Sequence, residues 1–241
     1  MQVFLAGAAG AIGRRLVPLL LKAGHKVTGT TRSTETAAAL ARVGVTPAVL
    51  DIFDARAASE AMRVARPEVI IHQLTDLPRE FDEARIAASY VNNARIRTEG
   101  TRNLIASARA AGARRFIVQS VAFAYRPGGE PHPETHPLNL DDPARAVTVR
   151  GAANMEEQVL SARGMEPVVL RYGLLYGPGT WTRTATRRPA LHVDAAAQAA
   201  LLAVTHGGGV YNIADDDGVV AIDKARRELG FDPDFRGAGP D

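Results

Sequence analysis

Glycines at positions 7, 10 and 13 separate the apolar run Val3-Phe4-Leu5-Ala6 from Ala11 to Ala23, where apolar residues recur at helical spacing. Phosphate binding asks for such a pattern. Gly7 permits a tight turn, Gly10 lets the backbone approach a pyrophosphate with no Cβ in the way, and Gly13 lets the helix pack closely on its strand. The free N–H groups of the helix start, at Ala11 and Ile12, and its positive dipole end then face the phosphates. After the second apolar run, Thr30-Thr31-Arg32-Ser33 offers no carboxylate for a ribose 2′-hydroxyl, and Glu35 lies beyond the turn. Arg32 instead supplies a cation suited to a 2′-phosphate. The expectation is a dinucleotide site favouring NADP, with NAD as the alternative.

Two hydroxyls stand where chemistry would follow. Ser120 closes the run ARRFIVQS (113–120), and Tyr125 follows across Val121-Ala122-Phe123-Ala124. A strand-end hydroxyl and a nearby phenol can both face a nicotinamide, with Tyr125 as the acid; the bland alternative packs the Tyr125 ring under the loop that follows. His132-Pro133-Glu134-Thr135-His136 sets two imidazoles about a carboxylate, but its prolines and turn context make a poor preformed metal site, so a solvated loop and no metal are expected. The chain has no cysteine, which removes disulfides, thiol nucleophiles and cysteine-ligated metals together.

The elements that must position these residues alternate. Strand patterns at 3–7, 26–32, 46–51, 67–74, 113–120, 166–177 and 209–215 interleave with helical patterns at 11–23, 34–43, 55–65, 82–111, 148–163, 193–205 and 221–229. Such alternation implies a parallel sheet with right-handed crossovers, an α/β doubly wound (Rossmann) fold. The proline-rich, polar stretch between Val121 and Ala146 interrupts the pattern, and a loop of that length is usually functional or mobile. We expect a dinucleotide-binding domain over 1–171 and a small, reduced C-terminal substrate lobe over 172–241, with 193–215 returning to the sheet.

Composition restricts the class of partner. Apolar residues make up 46% and charged residues 23% of the 241 positions, so neither disorder nor a fibre is indicated. The net charge of +3 comes from scattered arginine pairs, which read as solvated faces, so no nucleic-acid partner is expected. No run approaches the ~18 apolar residues of a membrane helix, and no basic, apolar leader opens the chain. A cytoplasmic protein with a small-molecule substrate and no membrane partner is the expectation.

Six segments in order, Gly7 to Gly13, Asp51-Ile52-Phe53-Asp54, His72-Gln73-Leu74-Thr75, Gly100-Thr101-Arg102-Asn103-Leu104, Ser120, and Arg171-Tyr172-Gly173-Leu174-Leu175-Tyr176-Gly177-Pro178-Gly179, resemble the extended or atypical short-chain dehydrogenase/reductase family, its NAD(P)-dependent epimerase/dehydratase group. The resemblance implies that Asp51 and Ile52 lie at the adenine, that Gln73, Leu74 and Thr75 run beside the ribose and phosphates, and that Tyr172 and Leu174 lead to the nicotinamide. It also implies that Ser120 lies near a substrate carbonyl or hydroxyl.

The departures matter more. The family's Tyr-x-x-x-Lys pair, in which lysine and cofactor lower the tyrosine pKa for proton exchange, falls on Val149 and Ala153, and neither can transfer a proton. The family's asparagine three residues before Gly100 is Arg97, with Asn92 and Asn93 more than a turn earlier. Two readings follow: an oxidoreductase or epimerase-like enzyme on a small carbonyl, hydroxyl or nucleotide-sugar substrate, or a non-catalytic NADP(H)-binding sensor or scaffold. A homodimer through Leu104, Ile105, Met155 and Val159 is possible, although the same residues suit a core. His192-Val193-Asp194 resembles the segment that returns the chain to the main domain, Asp215-Asp216-Asp217 reads as a turn, and Trp181 lines the cleft or packs.

Overall fold

The computed structural model describes residues 1–78 and 80–237. Strands and helices alternate as β1 (Gln2–Ala6), α1 (Ala11–Lys22), β2 (Lys26–Thr31), α2 (Thr34–Arg42), β3 (Thr46–Val49), α3 (Ala55–Ala65), β4 (Val69–His72), α4 (Glu83–Arg95), α5 (Thr101–Ala110), β5 (Arg115–Val121), α6 (Ala146–Leu160) and β6 (Glu166–Tyr172). The last part holds β7 (Leu174–Tyr176), β8 (Ala190–His192), α7 (Val193–Leu202), β9 (Gly209–Ile213) and α8 (Asp223–Leu229). Seven strands form one parallel sheet in the order β3-β2-β1-β4-β5-β6-β9. This is the doubly wound fold that the alternation predicts. Its strand order reverses between β1 and β4, where such folds open a crevice for ligands.

Both faces of the central strands are covered, so β1, β4 and β5 are buried along almost their whole length, while the edge strand β3 is largely exposed. On one face Leu5, Leu16, Leu20, Leu170 and the alanines of α7 pack together; on the other Phe4, Met62, Ile70, Phe116, Leu104, Met155 and Val159 do. Leu104, Met155 and Val159 are therefore core residues, at 1% exposure or less, with Ile105 packed against them. They are not available to a homodimer surface.

Three boundaries differ from expectation. The stretch 82–111 is not one helix, because a π-helical turn over Ile96–Gly100 separates α4 from α5. An extra residue in the turn redirects the side chains around it, and Arg97 is turned inward. The run 166–177 also divides: Gly173 donates its N–H to Ile213 O, and Leu174 then leaves the main sheet to pair with β8 in a two-stranded ribbon. Finally, the loop after β5 is strapped down. Bridges join Tyr125 to Leu138 and His132 to Val220, and the His132 N–H donates to Val219 O.

Arg115, at the start of β5, anchors the far end of the sheet. Its guanidinium donates to the carbonyls of Ala203, His206 and Gly207 and to the Glu166 carboxylate. Arg115→Met would orphan the buried Ala203 carbonyl and release those of His206 and Gly207, and we expect a loss of about 2–4 kcal/mol in urea unfolding with the denaturant slope unchanged.

Candidate active site

The turn after β1 is built as a phosphate cradle. Gly7 adopts φ +96°, and a Cβ there would lie 2.8 Å from the Gln73 backbone; one on Gly13 would lie 2.6 Å from Ala8 O. Only bare backbone fits at these two points. Gly7 O accepts from Gly10 N, the Thr30 hydroxyl accepts from Gly7 N, and Gly10 leads in extended conformation into Ala11, Ile12 and Gly13, the first turn of α1. No acidic side chain occupies that turn, so its N–H groups and dipole meet no competing carboxylate. A dinucleotide fits this cradle.

Around it stand the other residues expected to bind a cofactor. Arg32, exposed just past β2, donates to Asp76 Oδ1 at 3.1 Å. Asp76 is itself fixed: its N–H donates to Asn93 Oδ1, and its other carboxylate oxygen accepts from Asn92. Asp51 accepts from Phe53 N, and Ile52 is buried beside Gly100, its carbonyl accepting from Asn103 Nδ2. Leu74 is half-buried and Thr75 exposed on the segment leaving β4. Gln73 Nε2 donates to the Tyr172 hydroxyl, and Gln73 Oε1 is buried without a protein partner. Tyr172 is 2% exposed and its hydroxyl donates to Ala196 O, so the phenol points into α7; burial holds its pKa above the usual range. Leu174 is half-buried at the start of the ribbon.

Ser120 and Tyr125 are brought into one buried network, though not as a free hydroxyl pair. Ser120 Oγ, fully buried, donates to Glu156 Oε1 at 2.5 Å. Glu156 in turn accepts twice from Arg171, at 3.0 and 2.6 Å, with both side chains less than a tenth exposed. Arg171 Nη1 donates to the Tyr125 hydroxyl at 2.8 Å and to Glu134 O at 2.9 Å, while that hydroxyl donates to Asn212 Oδ1 at 2.6 Å. Burial raises the Tyr125 pKa, with Arg171 opposing. Burial works against the Arg171 charge, yet the Glu156 carboxylate more than offsets it and holds Arg171 above its ordinary value.

The strapped loop supplies the rest. Glu134 Oε1 accepts from Asn212 N, and the Asn212 amide donates to His132 O and Ala221 O. His132, expected in solvent, is 7% exposed and clusters with the rings of Tyr125 and His136. Val149 is 1% exposed and packs with Val121, Ala124 and Ala152. Asp215 and Asp217 do more than turn: their carboxylates accept from His192 N and Ala190 N and hold β8. Asp194 pairs with Arg15 at 3.4 Å, joining α7 to α1. Trp181 donates to Pro78 O at 2.8 Å and meets the Phe81 ring edge-on.

Sequence reasoning missed Glu156, Asn212 and the depth of Arg171. Positions 149, 152, 156 and 159 share one helical face, and the buried valines and alanine on it were the available signal for Glu156. Nothing local marks Asn212, whose partners lie nine or more residues away.

A seven-stranded doubly wound sheet with a phosphate cradle at its first turn defines a dinucleotide-dependent enzyme of oxidoreductase or epimerase type. The chain belongs to the NAD dependent epimerase/dehydratase family, whose pattern matches residues 3–187. It is 41% identical to the 3-diazoavenalumate denitrifying reductase of a Streptomyces species, over 97% of this chain and 83% of that one. It is 26% identical to the dTDP-4-dehydrorhamnose reductase of Streptomyces griseus, over 95% and 76%. Among solved structures, the UDP-glucose 4-epimerase of Thermotoga maritima superposes with a TM-score of 0.79 at 19% identity, covering 98% of this chain and 94% of that one. That likeness is one of fold. No helix among the described residues is long and apolar enough to cross a membrane.

Removing Glu156 would leave Arg171 buried without its counter-charge. Glu156→Gln is expected to lose about 3–5 kcal/mol of unfolding free energy, whereas the paired change Glu156→Gln with Arg171→Met loses less than the single one. A double-mutant cycle by urea titration reads this directly.

Proposed function

We propose that this enzyme is an NADPH-dependent reductase whose reaction needs hydride delivery but no proton donor. One observation carries the reading: beside the dinucleotide cradle both hydroxyls, Ser120 and Tyr125, are engaged by charged or amide groups, and the positions to which the family resemblance assigns its acid–base pair hold Val149 and Ala153. An epimerase or a carbonyl reductase must move a proton on an oxygen. A diazonium carbon need not, because its leaving group departs as dinitrogen. When bound, the reduced nicotinamide supplies the hydride, so that Ar–N2⁺ and H⁻ give Ar–H and N2 with atoms and charge balanced. The curated relative's name describes a denitrifying reductase of a diazo carboxylate, which supports this substrate class.

In this reading each residue has a binding or positioning task. Gly7, Gly10, Ala11, Ile12 and Gly13 present backbone N–H groups to the pyrophosphate. Asp51 and Ile52 meet the adenine, Gln73, Leu74 and Thr75 border the ribose and phosphates, and Tyr172 and Leu174 set the floor under the nicotinamide. Gln73 Oε1, buried and unpartnered, is an acceptor suited to a ribose hydroxyl or a carboxamide. Arg32 takes the 2′-phosphate in exchange for Asp76. Ser120 and Tyr125 fix the Glu156–Arg171 pair rather than pass a proton. Residues 173–189 form the reduced substrate lobe, with Trp181 and Phe81 beside the entrance.

Two measurements test this. Arg32→Ala should raise the NADPH dissociation constant about tenfold and change that of NADH less than twofold, as loss of a charge-assisted phosphate contact predicts; equal effects would make NAD the cofactor. Tyr125→Phe should leave turnover of an aryl diazonium carboxylate within about fivefold, against the 10²–10⁴-fold loss expected of a general acid. A loss in that larger range returns the proton to Tyr125.

A further inference from the structure

Arg97 is a buried cation for which the fold provides no counter-ion. It is 9% exposed, and the π-helical turn directs it inward. Among the described residues, the comparably buried Arg171 and Arg115 each have a carboxylate within ion-pair distance, Glu156 and Glu166. Arg97 has none. Its guanidinium makes one hydrogen bond there, from Nη1 to Thr148 O at 3.0 Å, and its remaining N–H groups are not sealed from solvent. Burial lowers its pKa to about 10, with Glu156 at longer range opposing, so it stays charged at neutral pH.

A second orphan lies in the same neighbourhood. His72, 2% exposed at the end of β4, accepts from Leu74 N at Nδ1, which places its proton on Nε2. That Nε2–H is buried and has no partner. Burial first, and then the Arg97 charge, push the imidazole down to about 3, so it is neutral and remains a donor. A cationic donor and a neutral one thus lie within electrostatic reach of each other, and the cationic one stands where α6 offers small side chains. Thr148, which holds Arg97, directly precedes Val149, and Gly151 passes the Arg97 stem where a Cβ would sit 3.6 Å from its Cδ. Oxygens of an anion would satisfy both donors and neutralise the charge.

We infer that Arg97, with His72 Nε2–H, forms the anion subsite of the substrate pocket and takes the carboxylate of a conjugated acid. The choice of a conjugated acid rests on the reductase reading above, since a diazo group survives long enough to need an enzyme only when conjugated. Arg97 is then a specificity-determining residue, placed on the π-turn rather than on α6.

Binding of cinnamate and cinnamamide by isothermal titration, with and without NADP⁺, tests this apart from any turnover. The wild-type protein should prefer the acid at least tenfold. Arg97→Met should bring acid and amide within twofold of each other while the amide affinity holds. Arg97→Lys, which keeps the charge and the fold but not the planar fork, should lower the preference at least threefold. An acid preference unchanged in both variants, or absent from the wild type, overturns the inference. So does a loss confined to NADP⁺ affinity, which would put Arg97 on the cofactor ribose. Retained acid preference without reduction of a diazonium carboxylate would remove the reaction reading and leave the subsite standing.

Discussion

Arg171 and Glu156 share two hydrogen bonds in a region closed to water, and the carboxyl edge of the sheet is organised around them. Taking both charges from water is expensive, and only full satisfaction of their donors and acceptors offsets it. Ser120 supplies one donor, while the Tyr125 hydroxyl and the Glu134 carbonyl supply acceptors. Five segments, β5, β6, β9, α6 and the strapped loop, are thereby tied to one point. The loop's order follows from this chemistry: its turns are rich in proline and glycine, yet Glu134, His132 and Tyr125 each make one hydrogen bond with Asn212.

The same pair fixes the two hydroxyls, Ser120 and Tyr125, at this edge of the sheet. A phenol donating to Asn212 and accepting from a guanidinium is a structural group with a defined partner on each side. With Val149 and Ala152 packed on Val121 and Ala124, α6 is joined to the sheet by apolar contact and by Glu156. Across the interface from α6 lies Arg97, its guanidinium held by Thr148 O. Gly151 gives that long side chain its path.

Much of this was legible in the sequence because it depends on local rules. The order of strands and helices, the glycine turn and the absence of a carboxylate after β2 follow from period and residue type. The division at Ile96–Gly100 was not, since helical periodicity continues through a π-turn with one residue of slip. His132 read as solvated because its neighbours are prolines, while its burial comes from Val219 and Asn212, far along the chain. Glu156 was hidden by Glu157: of two adjacent carboxylates, only the one in phase with Val149 and Ala152 is inside. Leu104, Met155 and Val159 suited a core or an interface equally by pattern, and only the packed layers distinguish the two.

Trp181 is the single tryptophan of the chain, and it joins the segment after β7 to the one after β4 through Pro78 and Phe81. Its indole therefore sits at the seam between the two pieces of backbone that frame the crevice. Any parting or approach of those pieces alters the polarity around one chromophore, with no other indole to dilute the signal. The protein comes with its own optical gauge of the cleft, readable from intrinsic emission without a label.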